Sequence, residues 1–182
     1  MLSIADKQLL LQSARRAIEG AVKKHPKPGL PPLSPALSEP HGVFVTLYRG
    51  SDLRGCIGYL IGESSLFESV TSVAVKAALS DPRFYPLTEK ELTEITLEIS
   101  VLSPLQRITN IDEIQVGIHG VVIESPHARS VLLPKVAVEN GWDRETFLQE
   151  TSRKAGGPKD LWKKPGTAIS IFSAEVFCEG EV

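Results

Sequence analysis

Prolines crowd one segment near the start of the chain, and they constrain its fold more than any other local feature. Six of them lie within residues 26–40, namely Pro26, Pro28, Pro31, Pro32, Pro35 and Pro40. Because proline lacks an amide hydrogen and fixes φ, the segment is excluded from helices and from central strands. We therefore expect a long surface loop here, with the rest of the fold built on either side of it.

The segment before this loop has the pattern of an amphipathic helix over residues 3–24. Apolar residues including Leu10, Ala14 and Ile18 recur at helical spacing, while charged residues occupy the rest of the wheel. A single amphipathic helix cannot bury its own apolar face, so it must pack on the residues that follow the loop. With 182 residues, the chain is expected to form one domain over 1–182.

After the loop, strand patterns and helix patterns alternate along the chain. Aromatic and β-branched residues around a polar turn predict a hairpin over 43–60, and the pair Ser65 and Glu68 has the spacing of a helix-starting capping box. Further elements are predicted as a helix over 65–80, strands near 95–101, 120–124, 130–133 and 167–177, and a helix over 143–154. The pattern indicates an α+β fold, an antiparallel sheet with flanking helices.

Two hairpins begin with the same three residues. His41-Gly42-Val43 opens the first and His119-Gly120-Val121 opens the second, and a strand, a polar turn, a second strand and a helix follow each in that order. Three matching residues can arise by chance, so the matched element order carries the argument. We expect residues 41–182 to form two duplicated β-hairpin/helix repeats.

Composition excludes several classes of function. Twenty basic against 22 acidic residues leave a net charge of −2, so nucleic acid is not an expected partner, because its binders usually carry a basic excess. No apolar run approaches the roughly 20 residues of a membrane span, and the first residues lack the pattern of a secretory signal. We therefore expect a cytoplasmic protein without a membrane partner, in which Cys56 and Cys178 are free thiols.

Standard metal and nucleotide motifs are absent from the sequence, which has no CxxC pair, no HExxH segment and no phosphate-binding glycine loop. His119 and His127 flank Glu124, and this His, Glu, His set is a candidate metal or general-base group. His119 and Glu124 are an odd number of residues apart and would point to opposite faces of an unbroken strand. We expect no metal site, and the sequence leaves the cofactor unknown.

The most unusual local sequence is Leu53-Arg54-Gly55-Cys56-Ile57-Gly58. Glycines beside a cysteine let the backbone approach a ligand closely, and the Arg54 guanidinium favours the reactive thiolate form. The helix that begins near Leu66 is expected to aim its amino end toward the same thiol. In the alternative interpretation, the glycines serve a β-bulge and Cys56 is a small buried apolar residue.

Two other segments carry candidate ligand-binding residues. Asp81-Pro82-Arg83-Phe84 follows the second predicted helix and places Asp81 and Arg83 either at a crevice or in a simple salt-bridged turn. Lys154 belongs to a locally basic segment that suits a phosphate or another anionic partner. Such runs are also common at solvated helix ends, where cations meet the helix dipole favourably.

The sequence resembles the AMMECR domain family, whose prokaryotic members are called AmmeMemoRadiSam system protein A. The resemblance covers nearly the whole chain and rests on the segments Gly42–Leu47, Leu53–Gly58, Asp81–Phe84, Glu98–Leu102, Leu132–Pro134 and Lys154–Gly156. It implies two lobes around a cleft that the Arg54–Gly58 motif lines. The system's name implies a Memo-like protein and a radical SAM protein as partners, whereas no reaction follows from it.

Two hypotheses from different classes follow. In the first, Cys56 is a catalytic nucleophile or modified centre, Arg54 holds a small anionic ligand, and amides near Gly55 and Gly58 bind an oxyanion. The remaining ligand-binding candidates of that hypothesis are Asp81, Arg83 and Lys154. In the second, the chain is a non-catalytic binding or adaptor module, and Cys56 is packed and inert. The sequence does not separate the two, and it leaves the oligomeric state open.

Overall fold

The computed structural model describes residues 1–25 and 34–182. These residues divide into two compact units, the first formed by Met1–Leu102 with Glu175–Val182 and the second by Ser103–Ala174. The predicted loop over 26–40 lies partly outside the described residues. In its described part, Pro35–Leu37 forms one turn of 3₁₀ helix that begins with proline, the residue best suited to the first helical position.

The regular elements confirm the predicted α+β class. In chain order they are α1 (Ile4–Val22), β1 (Val43–Arg49), β2 (Asp52–Tyr59), α2 (Leu66–Leu79), β3 (Ile95–Leu102), β4 (Gln106–Ile108), β5 (His119–Ser125), β6 (Ala128–Leu132), α3 (Pro134–Glu139), α4 (Arg144–Lys154) and β7 (Ala168–Cys178). Further 3₁₀ turns span Glu89–Thr93, Ile111–Glu113 and Leu161–Lys163. None of the helices in the described ranges combines the length and apolar character needed to cross a membrane.

The first unit is an antiparallel sheet with two helices packed on one face. Its strand order is β2-β1-β3, which leaves β2 with a free edge. Val43, Val45 and Leu47 alternate along β1 and are buried in one apolar core with residues of α1 and α2. Because successive side chains of a strand point to opposite faces, Phe44, Thr46 and their neighbours lie on the face away from the helices.

Helix α1 is held at its start by a cap and in its interior by an arginine. Ser3 caps its start by accepting a hydrogen bond from the Asp6 amide, and the Asp6 carboxylate in turn accepts from the hydroxyls of Ser3 and Ser34. The hydrogen bond from Ser3 is the main cause that lowers the pKa of this buried carboxyl. Further along, Arg15 donates to the Glu179 carboxylate and to the main-chain oxygen of Leu92. The end of the chain is thereby held to the first unit.

The second unit has the same kind of sheet, with strand order β6-β5-β7 and the short β4 paired to β7. Its own apolar core includes Val121, Ile123, Phe147 and Ile171. Strand β4 and helix α3 were not predicted from the sequence. Strand β4 has three residues, and α3 has six and begins at Pro134 without a side-chain cap, so neither is long enough to show a periodic pattern.

The topology supports the predicted duplication. In the first unit β1 pairs antiparallel with β2 and β3, and α2 lies between β2 and β3 in the chain. In the second unit β5 pairs antiparallel with β6 and β7, and α3 and α4 lie between those two strands in the chain. Each unit is therefore a β-β-α-β arrangement in which the first strand is central.

Candidate functional site

Cys56 lies on the edge strand β2, and one loop holds both of its main-chain groups. Its amide donates to Asp81 Oδ2 at 2.8 Å, and Arg83 Nη2 donates to its carbonyl oxygen at 3.0 Å. We call this pair of side chains the Asp81–Arg83 clamp. At an open sheet edge these main-chain groups would otherwise be available to another strand. The clamp therefore takes the place of a neighbouring strand at Cys56.

Asp81 is the centre of the clamp. Its side chain is only 2% exposed and accepts hydrogen bonds from the Cys56 amide, the Arg83 amide and the Arg83 guanidinium. The Arg83 hydrogen bond holds the pKa of this carboxyl well below its usual value, and burial opposes that effect. Of the two interpretations of Asp81-Pro82-Arg83-Phe84, the salt-bridged turn describes its geometry, and this turn also fixes Cys56.

The thiol itself has a hydroxyl donor. Thr46 lies opposite Cys56 on β1, and its Oγ1 donates to Cys56 Sγ at 3.4 Å. Thr46 is 3% exposed, whereas Cys56 is half-buried. The sulfur of Cys56 therefore has a buried hydroxyl of the neighbouring strand as its partner.

A row of polar side chains crosses the sheet at this level. Thr46 pairs with Cys56 on one side and with Glu98 of β3 on the other. Beyond Glu98, the Cys178 thiol donates to Glu98 Oε2 at 3.8 Å. Burial is the main cause that raises the pKa of Cys178 to about 11, and the Glu98 and Glu181 carboxylates add to it. Cys178 therefore lies beside a carboxylate, whereas Cys56 has the Thr46 hydroxyl as its side-chain partner.

The prediction that the amino end of α2 supports the thiol is wrong. Gly55 packs against the other end of this helix, where a Cβ added to Gly55 would lie 2.3 Å from the main-chain oxygen of Ala77. The carboxyl end of a helix carries partial negative charge, which disfavours a thiolate. The positive charge next to Cys56 is instead that of Arg83.

Arg54 is engaged in an ion pair on the same edge. Its Nε and Nη2 donate to the two carboxylate oxygens of Glu91 at 2.7 and 3.2 Å. Glu91 also accepts from the amide and hydroxyl of Thr88, and the Arg54 hydrogen bond is the main cause that lowers its pKa to about 2. The register of β1 and β2 shifts at this point, so Arg54 itself is the bulged residue.

Phe84 lies between the two arginines of the site. The Cζ atoms of Arg54 and Arg83 are 6.0 and 5.5 Å from the centre of its ring. Guanidinium groups at this distance interact favourably with an aromatic face. The Arg54–Glu91 pair, the Asp81–Arg83 clamp and Cys56 thus form one assembly around β2.

Packing explains the two glycines of the motif. Gly55 has the Ala77 main chain against it, and at Gly58 an added Cβ would lie 2.3 Å from the Phe44 ring, on the strand opposite. The amide of Cys56, between them, already donates to Asp81. An oxyanion-binding role for amides near Gly55 and Gly58 stays a prediction.

The other predicted residues are distributed as follows. Arg54, Gly55, Cys56, Gly58, Asp81 and Arg83 all lie in the first unit, whereas Lys154 lies in the second. There the Lys154 ammonium donates to the main-chain oxygen of Val131 at 3.0 Å. Within residues 1–25 and 34–182, no group of three or more His, Cys, Asp or Glu side chains is arranged to hold a metal ion.

Three residues in or beside the assembly were not predicted from the sequence, namely Thr46, Glu91 and Glu98. Thr46 is a polar residue within the apolar run of β1, which is a weak signal. Thr88 and Glu91 have the spacing of a capping box, and in the structure that box is formed. The partnership of Glu91 with Arg54 spans 37 residues and has no local signal.

The two paired carboxylates predict how acid affects stability. Folding lowers the pKa values of Asp81 and Glu91 from their ordinary values of 3.8 and 4.5. The two carboxylates therefore stabilise the fold fully at a pH above those ordinary values, and this stabilisation is lost as the pH falls below them. From the shift of Glu91 alone, we expect a loss on the order of 2 kcal/mol between pH 6 and pH 3. Urea unfolding at both pH values measures this loss. The double variant Arg54→Gln/Glu91→Gln should lose less than the parent, and equal losses would contradict the assignment.

Comparisons with known proteins give a consistent result. The family model AMMECR1 matches residues 11–177. A protein of Thermococcus onnurineus is 42% identical and aligns with 94% of this chain and 89% of its own length. The protein MK0488 of Methanopyrus kandleri is 37% identical over 99% of this chain and 91% of its own. The crystal structure of the uncharacterized protein PH0010 from Pyrococcus horikoshii has a TM-score of 0.91 and 39% identity, covering 98% of this chain and 94% of that one.

Proposed function

The chain belongs to the AMMECR1 family, and on that basis we propose that Cys56 is its functional centre, acting as a nucleophile or carrying a modification. One observation carries the proposal. Side chains bind all three polar groups of Cys56, since Asp81 takes the amide, Arg83 the carbonyl oxygen and Thr46 the sulfur. Catalytic groups require such fixed placement, because a small displacement of the reacting atom lowers the rate strongly.

The surroundings of Cys56 suit a reactive thiol. Thr46 donates to the sulfur, and the Arg83 guanidinium lies close enough that Cys56 is among the groups that raise the Arg83 pKa, after Asp81. A hydroxyl donor and a guanidinium beside a sulfur atom are groups typical of the surroundings of reactive cysteines. Cys178 is partly buried and lies beside carboxylates, and these surroundings raise its pKa to about 11. At pH 8, therefore, only roughly one molecule in a thousand carries Cys178 as a thiolate.

The ligand of this site is proposed to be small and anionic. The Arg83 side chain is 54% exposed, and Phe84 connects it to Arg54. Each arginine already has a carboxylate partner, so an anion would bind as an additional partner of a neutral assembly. We therefore expect weak binding of a singly charged group such as a carboxylate. Lys154 as a further ligand contact also belongs to this proposal.

Alkylation rates test the thiol and the anion site together. Iodoacetamide is neutral and iodoacetate is anionic, and mass spectrometry of peptides follows each cysteine separately. We expect Cys56 to react with iodoacetamide at least 10-fold faster than Cys178 at pH 8. We also expect the rate with iodoacetate, relative to iodoacetamide, to be higher at Cys56 than at Cys178, because arginine lies near the first thiol and carboxylates near the second.

Two variants serve as controls for this experiment. Thr46→Val removes the hydroxyl donor and should slow both reagents at Cys56 to a similar extent. Arg83→Gln removes the guanidinium that lies next to Cys56, so it should slow iodoacetate more than iodoacetamide. The proposal fails if Cys178 is labelled first, or if neither thiol reacts in the folded protein.

A second function is favoured by one observation. Tyr85 follows Phe84 and is 90% exposed, and an exposed aromatic side chain beside a neutral assembly is typical of a protein-binding surface. In this alternative the chain is a binding or adaptor module, and the Asp81–Arg83 clamp only completes the sheet edge. An unreactive Cys56, together with weaker partner binding by Tyr85→Ser, would favour it over the thiol site.

Partners and location complete the proposal. We propose a Memo-like protein and a radical SAM protein as partners, and the motif resemblance supports this proposal. We also propose the cytoplasm as the location, because the two cysteines are not joined in a disulfide. Co-elution of the purified chain with each partner on a sizing column tests the first part. Separate elution of the proteins at micromolar concentration would contradict it.

A further inference from the structure

A cavity of about 630 Å³ lies in the first unit, between the end of β2 and the outer side of α2. Its volume is in the range of ligand-binding pockets, which is roughly 300–1,000 Å³. Its lining includes His41, Tyr59, Glu63, Glu68 and Lys76, and none of the residues around Cys56 contributes to it. We propose that this cavity binds a short zwitterionic peptide of three or four residues in an extended conformation.

The wall of the cavity is built by close main-chain packing. Gly62 lies against His41, and a Cβ at Gly62 would be 2.4 Å from the His41 main-chain oxygen. The His41 ring is held as well, because its Nδ1 lies 3.3 Å from the main-chain oxygen of Leu102. A carbonyl oxygen only accepts, so Nδ1 carries the hydrogen and Nε2 is the nitrogen that can accept from a ligand.

One end of the cavity is cationic. The Lys76 ammonium donates to the Tyr59 hydroxyl at 2.8 Å and lies 5.2 Å from the centre of the same ring. These contacts hold the ammonium in place without neutralising it, and no carboxylate in the described part of the chain forms a salt bridge with it. A fixed ammonium next to a tyrosine hydroxyl is suited to bind a carboxylate.

The other end of the cavity is anionic. Glu63 is exposed in the loop after β2, and Glu68 lies on the first turn of α2, where it accepts from the Ser65 hydroxyl at 3.0 Å. Glu68 precedes Lys76 by eight residues in the same helix, so at 1.5 Å per residue their main chains are about 12 Å apart along the axis. The two ends therefore present opposite charges at a defined separation.

This separation selects the length of the ligand. An extended chain spans at most about 3.3–3.6 Å per residue, so three or four residues bridge about 12 Å, whereas the charges of a single amino acid do not. The lining also includes the apolar residues Val43, Ile61 and Val73, of which Ile61 is the exposed one. We place the peptide's amino terminus at Glu63 and Glu68, its carboxylate at Lys76, and small apolar side chains between them.

Calorimetric titration with alanyl-valyl-alanine tests the assignment. We expect the free tripeptide to bind. Acetylation of its amino terminus or amidation of its carboxylate should weaken binding at least 10-fold. The single amino acid alanine should bind at least 10-fold more weakly than the free tripeptide. Lys76→Met should abolish the effect of amidation and keep the effect of acetylation. The double variant Glu63→Gln/Glu68→Gln should abolish the effect of acetylation and keep the effect of amidation. Lys159→Met, an exposed lysine of the second unit, is the matched control and should bind as the parent does.

Any of these results would overturn the proposal: no heat with the tripeptide, equal affinity for alanine, or equal effects of both blocking groups on the Lys76→Met variant. Inorganic phosphate is titrated as a competitor, and its binding in place of the tripeptide would also overturn it. The Cys56→Ser variant should bind the tripeptide as the parent does, which separates this site from the proposed thiol site.

Discussion

Replacing Asp81 with alanine is expected to lower the free energy of unfolding by about 3 kcal/mol. The substitution leaves the Cys56 amide without its acceptor and removes the carboxylate partner of Arg83. A buried unpaired amide costs about 1–3 kcal/mol. The loss of the Arg83 ion pair adds less than a fully buried pair would, because the guanidinium is half-exposed and regains water.

Urea unfolding at pH 7 measures this loss. If only stability changes, the free energy of unfolding falls with urea concentration at the same slope for parent and variant. The matched control is Asp112→Ala, which removes an exposed carboxylate that also pairs with an arginine, Arg144. An exposed pair of this kind contributes about 0–1 kcal/mol. If both variants lose the same amount, Asp81 is an ordinary surface partner and the clamp does not hold β2.

Gly55→Ala is expected to cost about 3 kcal/mol, the second large effect. The added Cβ would overlap the main-chain oxygen of Ala77, which lies 2.3 Å away. A main-chain atom of α2 cannot turn aside as the tip of a side chain can, so β2 and the helix must separate. The packing of the core around Leu47 and Ala77 would be loosened as a result.

Gly50→Ala is the control for this variant. Gly50 has φ of 61° in the turn between β1 and β2, and no atom lies within 4 Å of an added Cβ. Its substitution should cost about 1 kcal/mol, which is the conformational penalty alone. If Gly55→Ala costs no more than Gly50→Ala in thermal or urea unfolding, packing against α2 is not the reason for that glycine, and close approach of a ligand becomes the better explanation.

Much of the fold could be predicted because the signals are local. The alternation over residues 95–101 marks β3, and the Ser65 capping box marks the start of α2, which the structure shows by a hydrogen bond from the Glu68 amide to Ser65. The short α3 and β4 could not be found in this way. Their conformations depend on pairing with β7 and on packing in the second unit rather than on a repeating pattern.

The site could be predicted as a set of residues and not as an arrangement. The sequence selected Cys56, Asp81 and Arg83, yet their contact joins positions 25 and 27 residues apart and has no signature in spacing. Arg54 was expected to hold a ligand, and its ion pair with Glu91 has no signal in the sequence. The cleft between two lobes that the resemblance implies also stays a prediction.

β2 is the edge strand of its sheet, and this position matters when the protein is concentrated. An unpaired sheet edge is a template to which a strand of another molecule can add, and fibrils grow by this addition. At Cys56 the template is interrupted, because Asp81 and Arg83 already bind its amide and carbonyl oxygen. Loss of the Asp81 carboxylate would therefore do more than weaken the fold, since it would expose the point where chain-to-chain aggregation can begin.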